Sequence, residues 1–370
     1  MARLSGLNVF STGAVADFED ALQRPGMDIY SNSWGPDSSS VLTDWPQLNY
    51  AVSSGAANGR DGKGSIYVFA AGNDRTGTHE GYANTFSLIN SKQVITVSAV
   101  NADGNLSSYS NSGANVLVAG TGGEYGKTYP AIVTTDLTGL YTGFDRGDTK
   151  LDGNSYDGNY TRFMNGTSAA CPSVAGICAL MLQANPSLGW RDVRYILARS
   201  ARQNDASDPG WSDNGAGLHI NDKYGFGVAD ATAAVAMAEG FPPLGAEVVS
   251  AIYDDSNATV IPDANSTGIE RTIDVNETMT VEHVYVWVTT SHPRIDDLRI
   301  VLVSPDGTQS VLAVGGEGYI KSTESYDNWR FGTVRCMDEQ AYGPWKLKVI
   351  DKTSGYEGSL TDWKIQVSGH

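Results

Sequence analysis

The chain is poor in cysteine, poor in positive charge and without a long apolar run, and each shortage closes a class of explanation. Its 370 residues hold three cysteines, Cys171, Cys178 and Cys336. An odd count is not a closed disulfide framework. Cys171 and Cys178 lie seven apart on one helical pattern. At about 1.5 Å of rise per residue their Cα atoms stand roughly 10 Å apart, too far to bridge, so buried free thiols are expected. Lys and Arg number 25 against 42 Asp and Glu, a net charge of −17. Such a surface repels a phosphate backbone, and no nucleic-acid partner is expected. No stretch of about 18 apolar residues occurs, so no transmembrane segment is expected. The longest run, near Ile177 to Leu182, stops at Gln183. Met1-Ala2-Arg3-Leu4-Ser5-Gly6 lacks the pattern of a signal peptide.

What is present is a core-forming composition: 41% hydrophobic, 18% charged, and 42 glycines. That suits loop-rich globular structure with room for two domains. The first part alternates strand and helix patterns. Strands are expected at Asp28 to Trp34, Ser65 to Ala71, Val94 to Val100 and Val116 to Ala119. Helices are expected at Trp45 to Asn58, Ser168 to Ala184, Trp190 to Ala201 and Ala229 to Glu239. Alternating units of this kind build a parallel sheet with helices on both faces. Phe241-Pro242-Pro243-Leu244-Gly245 reads as a linker. Beyond it come short β-type runs at 280–290, 298–304, 345–350 and 360–367, with turns such as Ser304-Pro305-Asp306-Gly307 between them. Trp363, Ile365 and Val367 alternate with Lys364 and Gln366, as in a half-buried strand. Many punctuated strands imply a sandwich or jelly roll. The expected division is 1–240, a linker at 241–248, and 249–370.

The most informative string is Asn165-Gly166-Thr167-Ser168-Ala169-Ala170-Cys171-Pro172, leading into an apolar helix. Proline is tolerated in a first turn, which places Ser168 at the helix N-terminus. Free N–H groups and the positive helix end there favour negative charge. A Ser hydroxyl attacking a carbonyl creates such a charge. A bare Ser-Ala-Ala would be only a cap; the full Gly-Thr-Ser-x-x-x-Pro string resembles the serine motif of the subtilisin superfamily. Asn73, in Ala70-Ala71-Gly72-Asn73 at a strand end, resembles that family's oxyanion Asn, and the order Asn before Ser agrees. Ser33-Trp34-Gly35-Pro36 is similar to the substrate-binding strand of kexin/furin-like members, where backbone pairs with an extended peptide. His292 through Thr308, Gly343 through Leu347 and Gly358 through Trp363 resemble the P domain of the same enzymes.

The resemblance implies a serine endopeptidase of the kexin/furin type. Its fold would be an N-terminally truncated subtilisin-like α/β domain followed by an all-β jelly-roll P domain. The chemistry requires no cofactor. Site residues implied are Ser168 and Asn73 for catalysis, and Ser33, Trp34, Gly35, Asp37 and Glu80 for substrate. Asp37 and Glu80 suit a basic side chain before the cut bond, and a Lys/Arg preference is expected. Asn111 stands where the family usually has an acid, which weakens a calcium site there. Asp145, Asp148 and Asp152 lie in a tract rich in oxygen donors that suits calcium, though not with EF-hand spacing; a calcium loop and a plain surface loop both remain open. Protein or peptide substrates and an extracellular or cell-envelope setting follow from the same resemblance.

A serine triad also needs a His base and an orienting acid, in the family order Asp, His, Ser. None of His79, His219, His283, His292 and His370 is followed by Gly-Thr. Met1 through Val9 resembles a strand from the middle of the catalytic domain. The expectation is that the Asp and His lie upstream and that the chain associates with that missing N-terminal segment. The alternative is a pseudoprotease that binds peptides.

Overall fold

The computed structural model describes residues 3–36, 42–76, 81–125, 130–144, 158–316 and 324–370. Asp37, Glu80, Asp145, Asp148 and Asp152 lie outside them. The first unit is built on four parallel strands in the order β1-β2-β3-β4: β1 (Ile29–Asn32), β2 (Ile66–Ala70), β3 (Val94–Val100) and β4 (Val116–Thr121). Its helices are α1 (Val15–Leu22), α2 (Pro46–Asn58), α3 (Thr167–Ala184), α4 (Trp190–Ser200) and α5 (Ala231–Glu239).

The strands are apolar on both sides, and successive side chains serve opposite faces. Tyr67 and Phe69 pack with Leu48, Ala51 and Val52 of α2. Ile66, Val68, Ile95 and Val97 pack with Ala170, Val174 and Cys178 of α3 and Ile196 of α4. Helices therefore cover both faces. Two short antiparallel pairs complete the unit: β5 (Ile132–Thr135) with β6 (Tyr160–Met164), and β7 (Ser212–Asp213) with β8 (His219–Ile220).

The second unit is two facing antiparallel sheets. One runs β10 (Tyr253–Asp255), β18 (Gly358–Gly369), β13 (Val281–Thr290) and β16 (Trp329–Thr333), with β9 (Val248–Val249) and β11 (Thr259–Ile261) also on β18. The other runs β12 (Ile269–Val275), β17 (Gly343–Asp351), β14 (Leu298–Val303) and β15 (Gln309–Ala313). Trp363, Ile365 and Val367 meet Trp345, Leu347 and Val349 in one core. The alternation read on β18 is thus the packed face of a sandwich.

The two units share their cores. Ala114 packs into the sandwich core, and Val334 and Met337 pack into the α/β core. Polar contacts reinforce this: Asn84 Nδ2 donates to the Gly332 carbonyl at 2.9 Å, and Arg191 Nε to Glu282 Oε2 at 2.9 Å.

Several local expectations change. Residues 3–14 form no strand. The strand expected to reach Trp34 ends at Asn32. Helix α3 is long and apolar enough to cross a membrane by length and composition, but it is a core helix, with Ala170, Cys171, Val174, Cys178 and Met181 fully buried. Cys171, Cys178 and Cys336 are free and buried. Burial pushes the Cys171 thiol up to about 11 and the Cys178 thiol up to about 12, so both stay protonated and unreactive.

Candidate active site

Helix α3 starts at Thr167, so Pro172 falls in its second turn and not its first. A proline there removes the N–H that would bond the carbonyl four residues back, which is that of Ser168. Ser33 fills the gap: its Oγ donates to the Ser168 carbonyl at 2.9 Å. The end of β1 is thereby tied to the start of α3, a link the sequence motifs do not reveal.

Gly166 precedes the helix at φ 101°, a conformation that favours glycine. Its N–H donates to Tyr109 Oη at 2.7 Å, and that hydroxyl reaches the Gly122 carbonyl at 2.9 Å. Burial holds the Tyr109 phenol above its ordinary value, so it remains a donor. Sequence reasoning misses the role of Tyr109, because its partner Gly166 lies 57 positions away.

Asn73 leaves the end of β2. Its Oδ1 accepts from the Thr167 N–H at 2.8 Å and from Thr167 Oγ1 at 2.9 Å. Thr167 Oγ1 in turn accepts from the Gly72 N–H at 3.3 Å. With its oxygen used twice, the Asn73 amide has one orientation, and Nδ2 keeps its protons for something else. Among the described residues Nδ2 has no hydrogen-bond partner.

These pieces line one open cleft of about 260 Å³, walled by Ser33, Trp34, Gly35, Asn73, Asp74 and Ser168. Ser168 is half-buried within it. The structure therefore brings together five of the seven expected site residues, the other two lying outside the described residues. Trp34 is held by its Nε1 bond to Asn32 Oδ1 at 3.1 Å and by an edge contact with Phe69 at 5.2 Å.

Asn111 sits under the cleft, 2% exposed. Its Nδ2 donates to Asp74 Oδ2 at 2.8 Å and to the Ala71 carbonyl at 3.2 Å, while Oδ1 accepts from the Asp74 N–H at 2.8 Å. Gly72 leaves it room, since a Cβ there would collide with Asn111 Nδ2. With an N–H where a second acid would stand, Asn111 and Asp74 do not form a pair of carboxylates around a metal ion. No histidine lines the cleft among the described residues.

A catalogued family, the subtilase family, matches residues 4–227. The chain belongs to it. The proprotein convertase P-domain matches residues 281–367. The human proprotein convertase subtilisin/kexin type 6 is 34% identical over 388 residues, covering all of this chain and 37% of the relative. The human type 5 convertase is 32% identical over 387 residues, covering all of this chain and 19% of the relative. The Aeromonas extracellular serine protease of Aeromonas sobria is 34% identical over 342 residues, 75% of this chain and 54% of its own. The crystal structure of the Aeromonas sobria serine protease superposes with a TM-score of 0.89 at 29% identity, over all of this chain and 77% of that one. Its complex with a chaperone superposes at 0.87. The chain thus spans well under half the length of the human relatives it matches.

Proposed function

We propose that this subtilase chain acts as a serine endopeptidase of the proprotein-convertase type, with Ser168 as nucleophile and Asn73 as oxyanion donor. The observation that carries the reading is the Asn73 amide, locked by Thr167 with its Nδ2 unspent beside Ser168 in one cleft. A peptide carbonyl attacked by Ser168 Oγ develops negative charge, and a preoriented N–H stabilises it. The first-turn N–H groups of α3 add to that field. Ser33 to Gly35, extended past the end of β1, offer backbone to a substrate strand.

The reaction also requires a base to take the Ser168 proton. The proposal is therefore for Ser168 with a histidine brought to it. Asp37 and Glu80 would join Asp74 in drawing a Lys or Arg side chain into the cleft. Structural calcium belongs in this reading only at Asp145, Asp148 and Asp152. The chaperone complex of the Aeromonas protease supports a polypeptide partner for this chain, and that relative's extracellular description supports a secretory setting. The division into a peptidase unit at 1–240, a linker at 241–248 and a P domain at 249–370 is part of the same proposal.

A second reading is a peptide-binding module without catalysis, favoured by the absence of histidine among the described cleft residues. A fluorophosphonate probe separates the two. On the natural full-length protein it is expected to label Ser168, with labelling lost in Ser168→Ala. A properly folded natural protein that binds peptide in the cleft yet takes no label would establish the binding module instead.

A further inference from the structure

Three ligand-type side chains that the cleft does not use meet in the P domain. His292 and Asp297 lie just before β14, and Asp351 ends β17. Leu298 pairs with Asp351 across the sheet, and the Lys352 N–H donates to the Asp297 carbonyl at 2.8 Å, so backbone fixes the two acids side by side. The start of β18 presses on the histidine: a Cβ at Gly358 would collide with the His292 backbone. His292 is fully buried, Asp297 2% exposed and Asp351 1%. One donor atom from each lies within 4.8 Å of the others.

Their polar groups are not satisfied by protein. Asp351 Oδ1 accepts from the Thr353 N–H at 3.0 Å, but Oδ2 is buried with no hydrogen-bond partner among the described residues. Asp297 Oδ2 and Asp296 Oδ1 are in the same condition. His292 Nδ1 stands 3.0 Å from the Arg294 carbonyl and 3.3 Å from the Arg294 N–H, and the shorter contact is the one made with the proton on Nδ1. In that tautomer Nε2 presents a lone pair to Asp351 Oδ2 and the Tyr356 carbonyl, each at 3.3 Å. Lone pairs facing one another at that distance call for a positive charge between them. Arg294 pairs with Asp296 and Asp297, one guanidinium against three carboxylates. Leaving buried carboxylate oxygens unpaired costs several kcal/mol each.

We propose that His292, Asp297 and Asp351 hold a divalent cation, with the Tyr356 carbonyl as a further oxygen donor. One imidazole among oxygens suits a borderline ion such as Zn²⁺, and Mn²⁺, which favours the carboxylates, is a probe of the same donor set; Ca²⁺ and Mg²⁺ take oxygens alone. The ion would pin the starts of β14 and β18 to the end of β17. This site stands apart from the cleft and does not depend on the reading of Ser168.

The test is metal titration of the whole chain after chelation, with Zn²⁺, Mn²⁺ and Ca²⁺ added separately. Zn²⁺ or Mn²⁺ is expected to bind and to raise Tm by about 5 °C or more at saturation. Asp351→Asn should bind one equivalent fewer, and its metal-free form should melt no lower than the metal-free parent, because a repelling charge is gone. If Asp351 served instead as acceptor for a proton on His292 Nε2, the metal-free variant would melt lower and the equivalent count would not change; that result overturns the site. Pulsed EPR of Mn²⁺ on the unaltered chain gives a check free of any variant. Coupling to an imidazole nitrogen is expected, and Ca²⁺-only binding with no nitrogen coupling to Mn²⁺ would refute the mixed donor set.

Discussion

The two units bury their polar groups in different currencies. Among the described residues of the subtilase unit, the buried polar side chains are chiefly amides and hydroxyls, and Glu124, Asp192 and Arg194 are the buried acids and bases. In the P domain Glu282, His283, His292, Asp297, Arg335, Glu339 and Asp351 are all buried. A neutral amide is satisfied by one or two hydrogen bonds and is indifferent to pH and salt. A buried ion needs a counterion, and its contribution changes with protonation. The contrast teaches where the fold's sensitivity to pH and cations should reside: in the sandwich and its seam, and not in the packing of the subtilase unit's core.

The largest effect is expected at that seam. Glu282 on β13 takes a bidentate grip from Arg191 of α4, with Nε at 2.9 Å, and also faces His370 at 2.8 Å. Burial pushes the Glu282 carboxyl up, but Arg191, with His370, outweighs it and the net shift is downward. Removing one partner of a buried pair costs about 3–5 kcal/mol. Glu282→Gln leaves Arg191 uncompensated beside the buried Arg194, so a loss near that size is expected in urea unfolding at pH 7. A depressed carboxyl stabilises the fold above its unfolded pKa of about 4.3, and that stabilisation is lost as pH falls through the lower folded value. The gap between parent and variant should therefore be full above about pH 5 and close below about pH 4. A gap that stays constant down to pH 3 would mean that the pair contributes packing and not charge.

The comparison can also be broken on purpose. Asn111→Asp puts the P domain's style of burial under the cleft, replacing an N–H donor to Asp74 with a second carboxylate at 2.8 Å. Like charges that close cannot both ionise at ordinary cost. The variant is expected to lose about 1–3 kcal/mol at pH 7, and to regain part of it at pH 5 or on adding Ca²⁺, neither of which should affect the parent's cleft. A variant that is equally destabilised at pH 5, pH 7 and in Ca²⁺ would show that the amide's geometry, and not its neutrality, is what the site uses.

The same contrast explains what is legible in the sequence. Ser168, Asn73, Ser33 and Trp34 sit in short strings whose residues do their work together, so the cleft can be read from those strings alone. The parallel sheet is readable because Ile66 to Ala70 and Val94 to Val100 are apolar without interruption. Tyr109 and the Ser33 bond to the Ser168 carbonyl are not, since each depends on residues more than fifty positions apart. His292, Asp297 and Asp351 escape for the same reason. Their proximity comes from the pairing of β14 with β17, which no local pattern announces. Pro172 lies one turn deeper than its string suggests because its compensation comes from Ser33, just past β1, and not from the helix.

The smallest effect sharpens the rule at its exception. Ser98 on β3 is fully buried, and its Oγ has no hydrogen-bond partner among the described residues. Ser110, equally buried, accepts from the Ala99 N–H at 3.0 Å and donates to the Asn111 carbonyl at 3.2 Å. If neutral burial in this unit is stabilising because it is paired, the two hydroxyls should answer differently to the same change. Ser110→Ala orphans a buried N–H and should cost about 1–3 kcal/mol. Ser98→Ala removes an unsatisfied hydroxyl and should fall within about 0.5 kcal/mol of the parent, or gain stability. Paired urea melts of the two variants decide it. Equal losses would mean that filled volume, and not hydrogen bonding, is what holds the sheet at these positions.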